Sequence, residues 1–387
     1  IDGTGKVLMP GLVNAHTHVA MALLRGYGGG HDLHHWLNDY IFPAEDKLDA
    51  RCVAAGTALG LAEMIASGTT CIADMYMYTI AKTVLEAGIS ANLSCGGVYF
   101  GKPEEFDPAR CEDCINEEIL RDSWHGAGEG QILVDASIHA EYTSCPPLWE
   151  WTADFARRHG LGMQVHISET QSEHENCWKK YGKTPVALLD QYGVWERGVI
   201  AAHCVWVSDQ DMDIMAQKHI TAVHNPVSNL KLASGVARVP QMLKAGGNVA
   251  LGTDGVASNN SHDLFEEIKL AAILHKGVGL DPEAVTAQQA LEMATVNGAE
   301  ALGRDTGVIA PGKMADLILV DFSAPNLTPC HDVAENLVYA AHGSNVDMNM
   351  ARGKVIYEKG EFFTLDLERI RYEVERYALP LLFGSKA

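Results

Sequence analysis

Short apolar runs alternate with longer helix-like segments over most of the chain. The longer segments are rich in Ala, Leu and Glu, and several end at a glycine, such as Gly68, Gly88 or Gly160. Strands that alternate with helices predict the α/β class with a parallel sheet, and eight such units predict a (β/α)8 (TIM) barrel. The predicted strands are residues 12–18, 70–75, 91–97, 132–139, 163–169, 199–205, 221–226 and 248–254. The predicted helices are residues 46–67, 80–87, 147–158, 208–218, 239–245, 263–275 and 286–302.

The pattern changes after the last predicted barrel helix. Residues 305–364 alternate in the manner of strands and carry glycines at the turns, which predicts a small β domain. Residues 1–10 read as the end of a β structure that leads into the first barrel strand, so we assign them to that domain as a remnant. The predicted organisation is therefore a barrel, residues 11–304, a small β domain, residues 1–10 and 305–364, and a C-terminal helical segment, residues 365–387.

Histidines and one aspartate follow the predicted barrel strands. His16 and His18 are two residues apart, so in a strand their side chains point to the same face. Each of these residues alone could be an ordinary polar residue at a strand end, but four apolar runs end in a potential metal ligand. Because the chemistry of a (β/α)8 barrel lies at the carboxyl ends of its strands, these positions predict a metal site. The strand-end residues are His16, His18, His139, His166, His203, His224 and Asp254.

The composition narrows the classes of partner. The chain has 387 residues, a hydrophobic fraction of 47% and a formal net charge of −21. Nucleic acid and anionic membranes both need a basic protein face, so we expect neither as a partner. Nine scattered cysteines, with no long apolar stretch and no visible signal peptide in the sequence, favour a cytoplasmic protein. The CEDC pair, Cys111 and Cys114, has no second CxxC beside it, and we interpret it as incidental.

Five separated motifs resemble the amidohydrolase superfamily. They are PGLVNAHTH, HISE, AAHC, HNPVSN and LGTDG, and together they extend over nearly the whole chain. The longer stretches HTHVAMALLRGYG, IFPAED, HNPVSNLKLASG and LGTDGVASNNS are similar to the branch that deaminates 5′-methylthioadenosine, S-adenosylhomocysteine, adenosine or 5′-deoxyadenosine. The stretch GVIAPGKMADLILVDF resembles the second half of the small β-sandwich of that family, whose first half is largely absent here.

The resemblance implies one divalent metal ion. Its ligands would be His16, His18, His166 and Asp254, a set that suits Zn²⁺ best, with Fe²⁺ as the alternative. The fourth predicted strand ends in His139 rather than in the lysine that, when carbamylated, bridges two metals in much of this superfamily. The prediction is therefore a single ion, which would activate a water molecule.

The resemblance also implies the catalytic residues. Glu169, in HISE, would shuttle protons to the ring and the leaving group, whereas the simpler interpretation is a surface glutamate at a helix start. Asp254 would take a proton from the attacking water in addition to binding the metal. His203 would hydrogen-bond the water and the developing alkoxide, or would bind the metal directly, and the sequence leaves both open.

Four further residues are candidates for the substrate pocket. Glu45, in IFPAED, matches the position that accepts the ribose hydroxyls, and His139 matches a position that contacts the purine. Trp36 would stack on the purine or anchor its loop, and His224 would line the pocket or lie in a turn. Glu169 would contact the purine as well.

The segment between the third and fourth strands concerns the 5′ end of the substrate. The branch that accepts S-adenosylhomocysteine carries two arginines there for the amino-acid carboxylate. Here the segment carries Lys102 and Arg110, which do not align clearly with them, so neutral nucleosides are favoured.

The predicted function is hydrolytic deamination of an adenine nucleoside to the inosine analogue and ammonia, by an enzyme expected to be a homo-oligomer. One alternative keeps the fold but acts on another amino-heterocycle, such as guanine, a pterin or a chlorinated triazine. Glu45 discriminates against it, because those substrates offer no diol. A second alternative is a non-enzymatic family member, which is disfavoured because all four metal ligands and Glu169 are present.

Overall fold

A computed structural model describes residues 1–76 and 79–384 of the chain. Its strands define the architecture. Within these ranges they form two parallel sheets and one antiparallel sheet. The strands are β1 (Lys6–Pro10), β2 (Leu12–Thr17), β3 (Thr69–Met75), β4 (Ser90–Ser94), β5 (Ile132–Val134), β6 (Ala136–Ile138), β7 (Met163–Ile167), β8 (Val199–His203), β9 (Ile220–His224), β10 (Val249–Leu251), β11 (Leu317–Asp321), β12 (Val346–Ala351), β13 (Lys354–Glu358) and β14 (Glu361–Phe362).

The two parallel sheets confirm the predicted barrel class. One has the order β2-β3-β4-β5, and the other has the order β10-β9-β8-β7-β6. β5 and β6 are two halves of the predicted fourth strand, and they pair with β4 and β7 respectively, so the chain itself connects the sheets. At the opposite edges, the N–H of Asp254 donates to the carbonyl of His16 at 3.0 Å and joins the end of β10 to β2.

Asp135 explains why the predicted fourth strand is interrupted. Its buried carboxylate accepts hydrogen bonds from Asn92 on β4, at 3.0 and 3.2 Å, and from Gln164 on β7, at 3.1 Å. Burial raises the pKa of this carboxyl group. A polar residue at this position therefore links two strands inside the barrel, and the backbone changes its pairing partner there.

The helices surround the sheets, and most begin and end within a few residues of their predicted bounds. The predicted helix 286–302 is divided in two between Met293 and Val296. Among the described α-helices of six or more residues, five were not predicted: Glu112–Trp124, Gln171–Tyr181, Pro185–Gln191, Pro226–Lys231 and Val333–Tyr339. The α-helices of six or more residues are Ala50–Ala66, Ala81–Ala87, Glu112–Trp124, Pro146–His159, Gln171–Tyr181, Pro185–Gln191, Asp209–Gln217, Pro226–Lys231, Val239–Lys244, Leu264–Gly279, Ala287–Met293, Val296–Ala301, Val333–Tyr339 and Leu367–Glu373.

The small β domain is one antiparallel sheet with the order β1-β11-β12-β13-β14. Residues 6–10 therefore lie beside β11, a strand that comes more than 300 residues later. The sheet contacts the barrel through Asn349, whose amide donates to the carbonyls of Ile65 and Thr69 at 2.9 and 3.0 Å. In the part of the chain that the structure describes, helix Ala50–Ala66 covers this sheet where a sandwich would have a second sheet.

The C-terminal segment is helical from Leu367 to Phe383, with a π-helical turn at Val374–Ala378. It packs on helix Ala50–Ala66, where Arg51 Nε lies 2.7 Å from a carboxylate oxygen of Glu373. Residues 385–387 of the predicted segment lie outside the described residues. Among the described helices, none combines the length and the apolar character that crossing a membrane requires.

Arg304 closes the end of the barrel opposite the strand-end histidines, and we expect its loss to destabilise the fold. Its guanidinium donates to the side chain of Asn92 at 2.8 Å and to the carbonyls of Ala91 and Gly130 at 2.5 and 2.6 Å. In Arg304→Ala these acceptors lose a charged donor, so the free energy of unfolding should fall by about 2–4 kcal/mol, measured by urea denaturation.

A matched control is Arg158→Ala, because Arg158 makes an exposed ion pair with Asp154 at 2.7 Å. Such surface pairs contribute little, so we expect a change within about 0.5 kcal/mol. An equal, small loss in both variants would contradict the structural role of Arg304.

Candidate active site

Five side chains converge at the carboxyl ends of the barrel strands. β2 carries His16 and is followed by His18, while β7 carries His166. In two groups of three, the potential ligand atoms all lie within 4.8 Å of one another: His16, His18 and His166, and then His16, His203 and Asp254. The structure therefore brings the four predicted ligands together and adds His203, the last residue of β8, to the same cluster.

Hydrogen bonds at the outer ring nitrogens orient two of these imidazoles. His18 Nδ1 lies 2.5 Å from the carbonyl oxygen of Met75, and His166 Nδ1 lies 2.7 Å from that of His139. A carbonyl only accepts, so each Nδ1 donates its hydrogen, and in the neutral ring each Nε2 keeps its lone pair for the cluster. The two Nε2 atoms lie 3.3 Å apart, an arrangement that a shared cation stabilises.

His16 provides the direct test of whether a metal fits. Both of its ring nitrogens are buried, and among the residues that the structure describes neither has a hydrogen-bond partner. An unpaired buried imidazole is costly, and a cation within the cluster would satisfy it. Three imidazole nitrogens and one carboxylate are a donor set that binds a divalent transition metal.

The carboxylate of Asp254 is held in one orientation. Its Oδ2 accepts hydrogen bonds from the hydroxyls of Ser228 and Ser258 at 2.6 and 2.9 Å, and its Oδ1 accepts the N–H of Gly255 at 2.7 Å. Oδ1 also faces His18 Nε2 at 3.2 Å. The two serines therefore hold the outer oxygen while the inner oxygen is directed at the histidines.

The backbone around the cluster is locally strained. His203 and Asp254 have φ values of 72° and 58°, in the left-handed region that residues with a Cβ rarely adopt. Gly252 lies two residues before Asp254, and a Cβ on this glycine would lie 2.8 Å from the carbonyl oxygen of His16. The glycine of LGTDG therefore permits the close approach of β10 and β2 that places Asp254 beside the histidines.

Charges within the cluster shift several pKa values. Burial lowers the pKa of His18, but the hydrogen bond and charge of Asp254 outweigh it and raise the pKa to about 9. Burial would raise the pKa of Asp254, and the surrounding histidines reverse this effect, so that it lies well below its usual range. Burial lowers the pKa of His16 and His166. At neutral pH the ring of His18 therefore carries a proton, which interacts with Asp254.

Metal binding should displace this proton, which makes the affinity depend on pH. We expect about one equivalent of Zn²⁺ or Fe²⁺ per chain in elemental analysis of protein purified from metal-replete cells. Because His18 must lose a proton, the apparent affinity should rise about tenfold per pH unit between pH 7 and pH 9, measured by chelator competition. Two equivalents, none at any loading, or a flat pH dependence would contradict this single-ion site.

Glu169 lies beside the cluster in a buried position. It follows β7, and one of its carboxylate oxygens lies 3.8 Å from His203 Nε2, while the other accepts from the Ser234 hydroxyl at 3.4 Å. His203 Nδ1 lies 2.8 Å from the side-chain oxygen of Asn229. Burial raises the pKa of Glu169, because the charged form of a desolvated carboxyl group is disfavoured.

A comparison with protein families matches residues 7–356 to the Amidohydrolase family. The chain belongs to the amidohydrolase family.

Two curated relatives match the chain over its full length. One, from Dictyoglomus thermophilum, is named 5-methylthioadenosine/S-adenosylhomocysteine deaminase; it is 46% identical, and the match covers 100% of this chain and 90% of that protein. The other, from Methanosarcina acetivorans, is named 5'-deoxyadenosine deaminase; it is 44% identical, with coverage of 100% and 89%. These matches confirm the resemblance that the motifs indicate.

A solved structure shares the fold of this amidohydrolase. The crystal structure of an adenosine deaminase from Xanthomonas campestris with bound zinc matches it with a TM-score of 0.92 and 34% identity. The match covers 97% of this chain and 86% of that one. Together with the histidine and aspartate cluster, this supports a divalent metal in the present chain.

Glu45 lies near the cluster and has a partner that was not predicted. Its buried carboxylate accepts a hydrogen bond from the hydroxyl of Tyr76 at 2.8 Å, on the loop after β3. Burial raises the pKa of Glu45 to about 6, although the bond from Tyr76 lowers it. One carboxylate oxygen is therefore held by Tyr76, and the other remains an acceptor for a ligand hydroxyl.

The other three pocket candidates differ in position. The His139 ring centroid lies 4.7 Å from that of His166, and its Nδ1 lies 3.0 Å from the Thr143 hydroxyl, so it adjoins the cluster. Trp36 is only 6% exposed and packs within the hydrophobic core around helix Ala50–Ala66, which supports its role as a loop anchor rather than a stacking platform.

His224 ends β9, as predicted for a strand-end residue, but its ring has a partner outside the cluster. Its ring contacts His275 on helix Leu264–Gly279, with the two Nε2 atoms 3.3 Å apart. The preceding Val223 packs with residues of the barrel interior, and successive strand residues point to opposite faces. The side chain of His224 is therefore directed toward the surrounding helix, which favours the alternative of a satisfied histidine over the pocket-lining role.

Several supporting residues were missed although their motifs were noticed. Ser228 and Asn229 belong to HNPVSN, and Ser258 belongs to LGTDGVASNNS, so the motifs contained them. Spacing alone does not show which oxygen each hydroxyl or amide contacts.

The two basic residues of the segment between the third and fourth barrel strands are Lys102 and Arg110. Both are exposed, and Lys102 Nζ lies 3.2 Å from a carboxylate oxygen of Glu105.

Proposed function

We propose that the protein is a divalent-metal-dependent deaminase that converts an adenine nucleoside to the corresponding inosine analogue and ammonia. The observation that carries the proposal is the buried carboxyl group of Glu169 beside a cluster of metal-binding side chains, 3.8 Å from His203. The names of the two curated relatives support the same substrate class. We propose Zn²⁺ as the ion and His16, His18, His166 and Asp254 as its ligands.

A bound divalent cation would supply the Lewis acidity that makes water a nucleophile at neutral pH. Glu169 then donates its proton to N1 of the purine while water adds to C6, so that negative charge does not accumulate on the ring. The Glu169 carboxylate next takes the proton of the new C6 hydroxyl and delivers it to the exocyclic nitrogen, which leaves as ammonia, and the proton that Asp254 took from the water then returns to Glu169. We propose that Glu169 begins the reaction protonated, a form that burial favours because it raises the pKa of this carboxyl group.

Asp254 and His203 act on the attacking water, the first as a proton acceptor and the second by hydrogen bonding. Asp254 accepts a proton from it through Oδ1, because Oδ2 is occupied by Ser228 and Ser258. His203 is held by Asn229 at Nδ1, so its Nε2 faces the oxygen that becomes the 6-oxo group. We propose that His203 acts by hydrogen bonding there.

Glu45 would hold the ribose and His139 would contact the purine. Glu45 is buried, and a vicinal diol can donate two hydrogen bonds to a carboxylate. Lys102 and Arg110 are exposed, which favours substrates with a neutral 5′ group. We propose that the reaction takes place within residues 11–304, while residues 1–10, 305–364 and 365–387 support the barrel.

An ammonia-release screen tests the proposal. The zinc-loaded protein is assayed with adenosine, 5′-deoxyadenosine, 5′-methylthioadenosine, S-adenosylhomocysteine and guanine, with chelator-treated protein as the control. We expect turnover of the nucleosides, with neutral 5′ groups preferred over S-adenosylhomocysteine. Turnover of guanine alone would assign the site to a free base, and release from none of the five would overturn the proposal.

A further inference from the structure

Glu173 lies one turn beyond the proposed proton carrier and contacts it through the backbone. One carboxylate oxygen of Glu173 accepts the N–H of Ser168 at 2.7 Å, and the other accepts the N–H of Glu169 at 2.7 Å. Glu173 is 6% exposed, and Ser168 has a φ of 47°, in the left-handed region. A single buried side chain therefore holds two consecutive peptide groups in an unfavourable conformation.

We propose that Glu173 is a positioning residue that sets the direction of the Glu169 side chain. The inference rests on the proposed function, because it assigns Glu173 to the residue that would carry the proton. A change at the Ser168–Glu169 peptide rotates the Cα–Cβ bond of Glu169 and moves its carboxyl group relative to His203. Displacements of about 1 Å in such a group cost about 10²-fold in rate.

A simpler explanation is that Glu173 only stabilises the start of helix Gln171–Tyr181. That helix already has a cap, because the hydroxyl of Thr170 accepts the N–H of Glu173 at 3.2 Å. Glu173 reaches past this cap to the two residues before it. The two contributions are therefore separable: Thr170→Ala removes the cap, and Glu173→Gln removes one of the two backbone acceptors.

Glu173→Gln is the informative variant because it preserves volume. Its amide oxygen accepts one backbone N–H, while its amide nitrogen faces the other, which leaves that donor unsatisfied. We expect kcat to fall about 10- to 100-fold with KM and metal content nearly unchanged. Thr170→Ala should lower the melting temperature and keep kcat. Glu117→Gln, at another buried carboxyl group that contacts Ser137, should also keep kcat.

A double-mutant cycle shows whether Glu173 acts through Glu169. If it does, Glu169→Gln combined with Glu173→Gln should be no slower than Glu169→Gln alone. If the two losses multiply, or if Glu173→Gln keeps wild-type kcat, the proposal is overturned.

Amide hydrogen exchange provides a readout that needs no substrate. In Glu173→Gln, the peptide that contains Ser168 and Glu169 should exchange faster, whereas in Thr170→Ala the amides of these two residues should stay protected. Unchanged exchange in Glu173→Gln would overturn the positioning role of Glu173 even if the protein proved inactive on every nucleoside. The failure of the proposed function and the failure of this inference are thus distinguishable.

Discussion

Replacing Glu169 by Gln should leave the metal and the fold intact and lower kcat for nucleoside deamination by about 10²-fold or more. Gln has the same shape as Glu but cannot carry a proton, so N1 of the ring would remain unprotonated as water adds. The loss should appear in kcat rather than in KM, because Glu169 transfers its proton only as the reaction proceeds. Steady-state kinetics of the variant measure kcat and KM, and elemental analysis measures whether it keeps the metal.

The surroundings of Glu169 make this substitution interpretable. Its carboxyl group contacts Ser234 and His203, and a glutamine can keep the hydrogen bond from the serine hydroxyl. A matched control is Glu175→Gln on the following helix, where the carboxylate is half exposed and contacts Gln171 and Lys179. Near wild-type kcat in Glu169→Gln would remove Glu169 from the mechanism, and equal losses in both variants would indicate a general effect of lost charge.

Replacing Glu45 by Ala should lower kcat/KM for ribonucleosides by about 10² to 10⁴, since each hydrogen bond to a charged acceptor contributes roughly 1.5–3 kcal/mol. The effect should vanish for a 2′,3′-dideoxynucleoside, because neither enzyme then has a diol to hold. Part of the loss should fall on kcat, since the sugar contact also places C6 of the ring over the attacking water. Kinetics of both enzymes on the ribo- and dideoxynucleosides provide the measurement.

The competing explanation is that Glu45 only ends the short helix Phe42–Glu45. In that case the substitution would lower thermal stability slightly and leave the nucleoside preference unchanged, as we expect for Asp46→Ala at the exposed neighbouring position. Equal losses on ribo- and dideoxynucleosides would exclude the diol role. Tyr76→Phe should give a smaller, same-direction effect, because it removes the hydroxyl that orients one oxygen of Glu45.

The barrel class and the convergence of the potential metal ligands were predictable because both depend on local sequence patterns. An apolar run followed by a polar residue marks where a strand reaches the edge of its sheet, and parallel strands bring those ends together. His16, His18, His166 and Asp254 therefore converge as the motifs predict.

His224 and Asp135 show where such patterns fail. His224 also follows an apolar run, but its ring contacts His275, because Val223 before it packs in the barrel interior and successive strand residues point to opposite faces. Asp135 lies inside a predicted strand, and its polar contacts with Asn92 and Gln164 divide that strand in two. Both outcomes depend on partners that are distant in sequence.

By itself, the sequence determined the order of the barrel elements, the residues of the candidate site and the family. Only the tertiary structure decided which groups orient them: Ser228 and Ser258 on Asp254, Asn229 on His203, Tyr76 on Glu45 and Glu173 on the peptide of Glu169. The reason is physical. The side-chain period of a strand is a property of the chain, whereas a hydrogen bond of 2.6–2.9 Å between residues up to 31 positions apart depends on how whole elements pack.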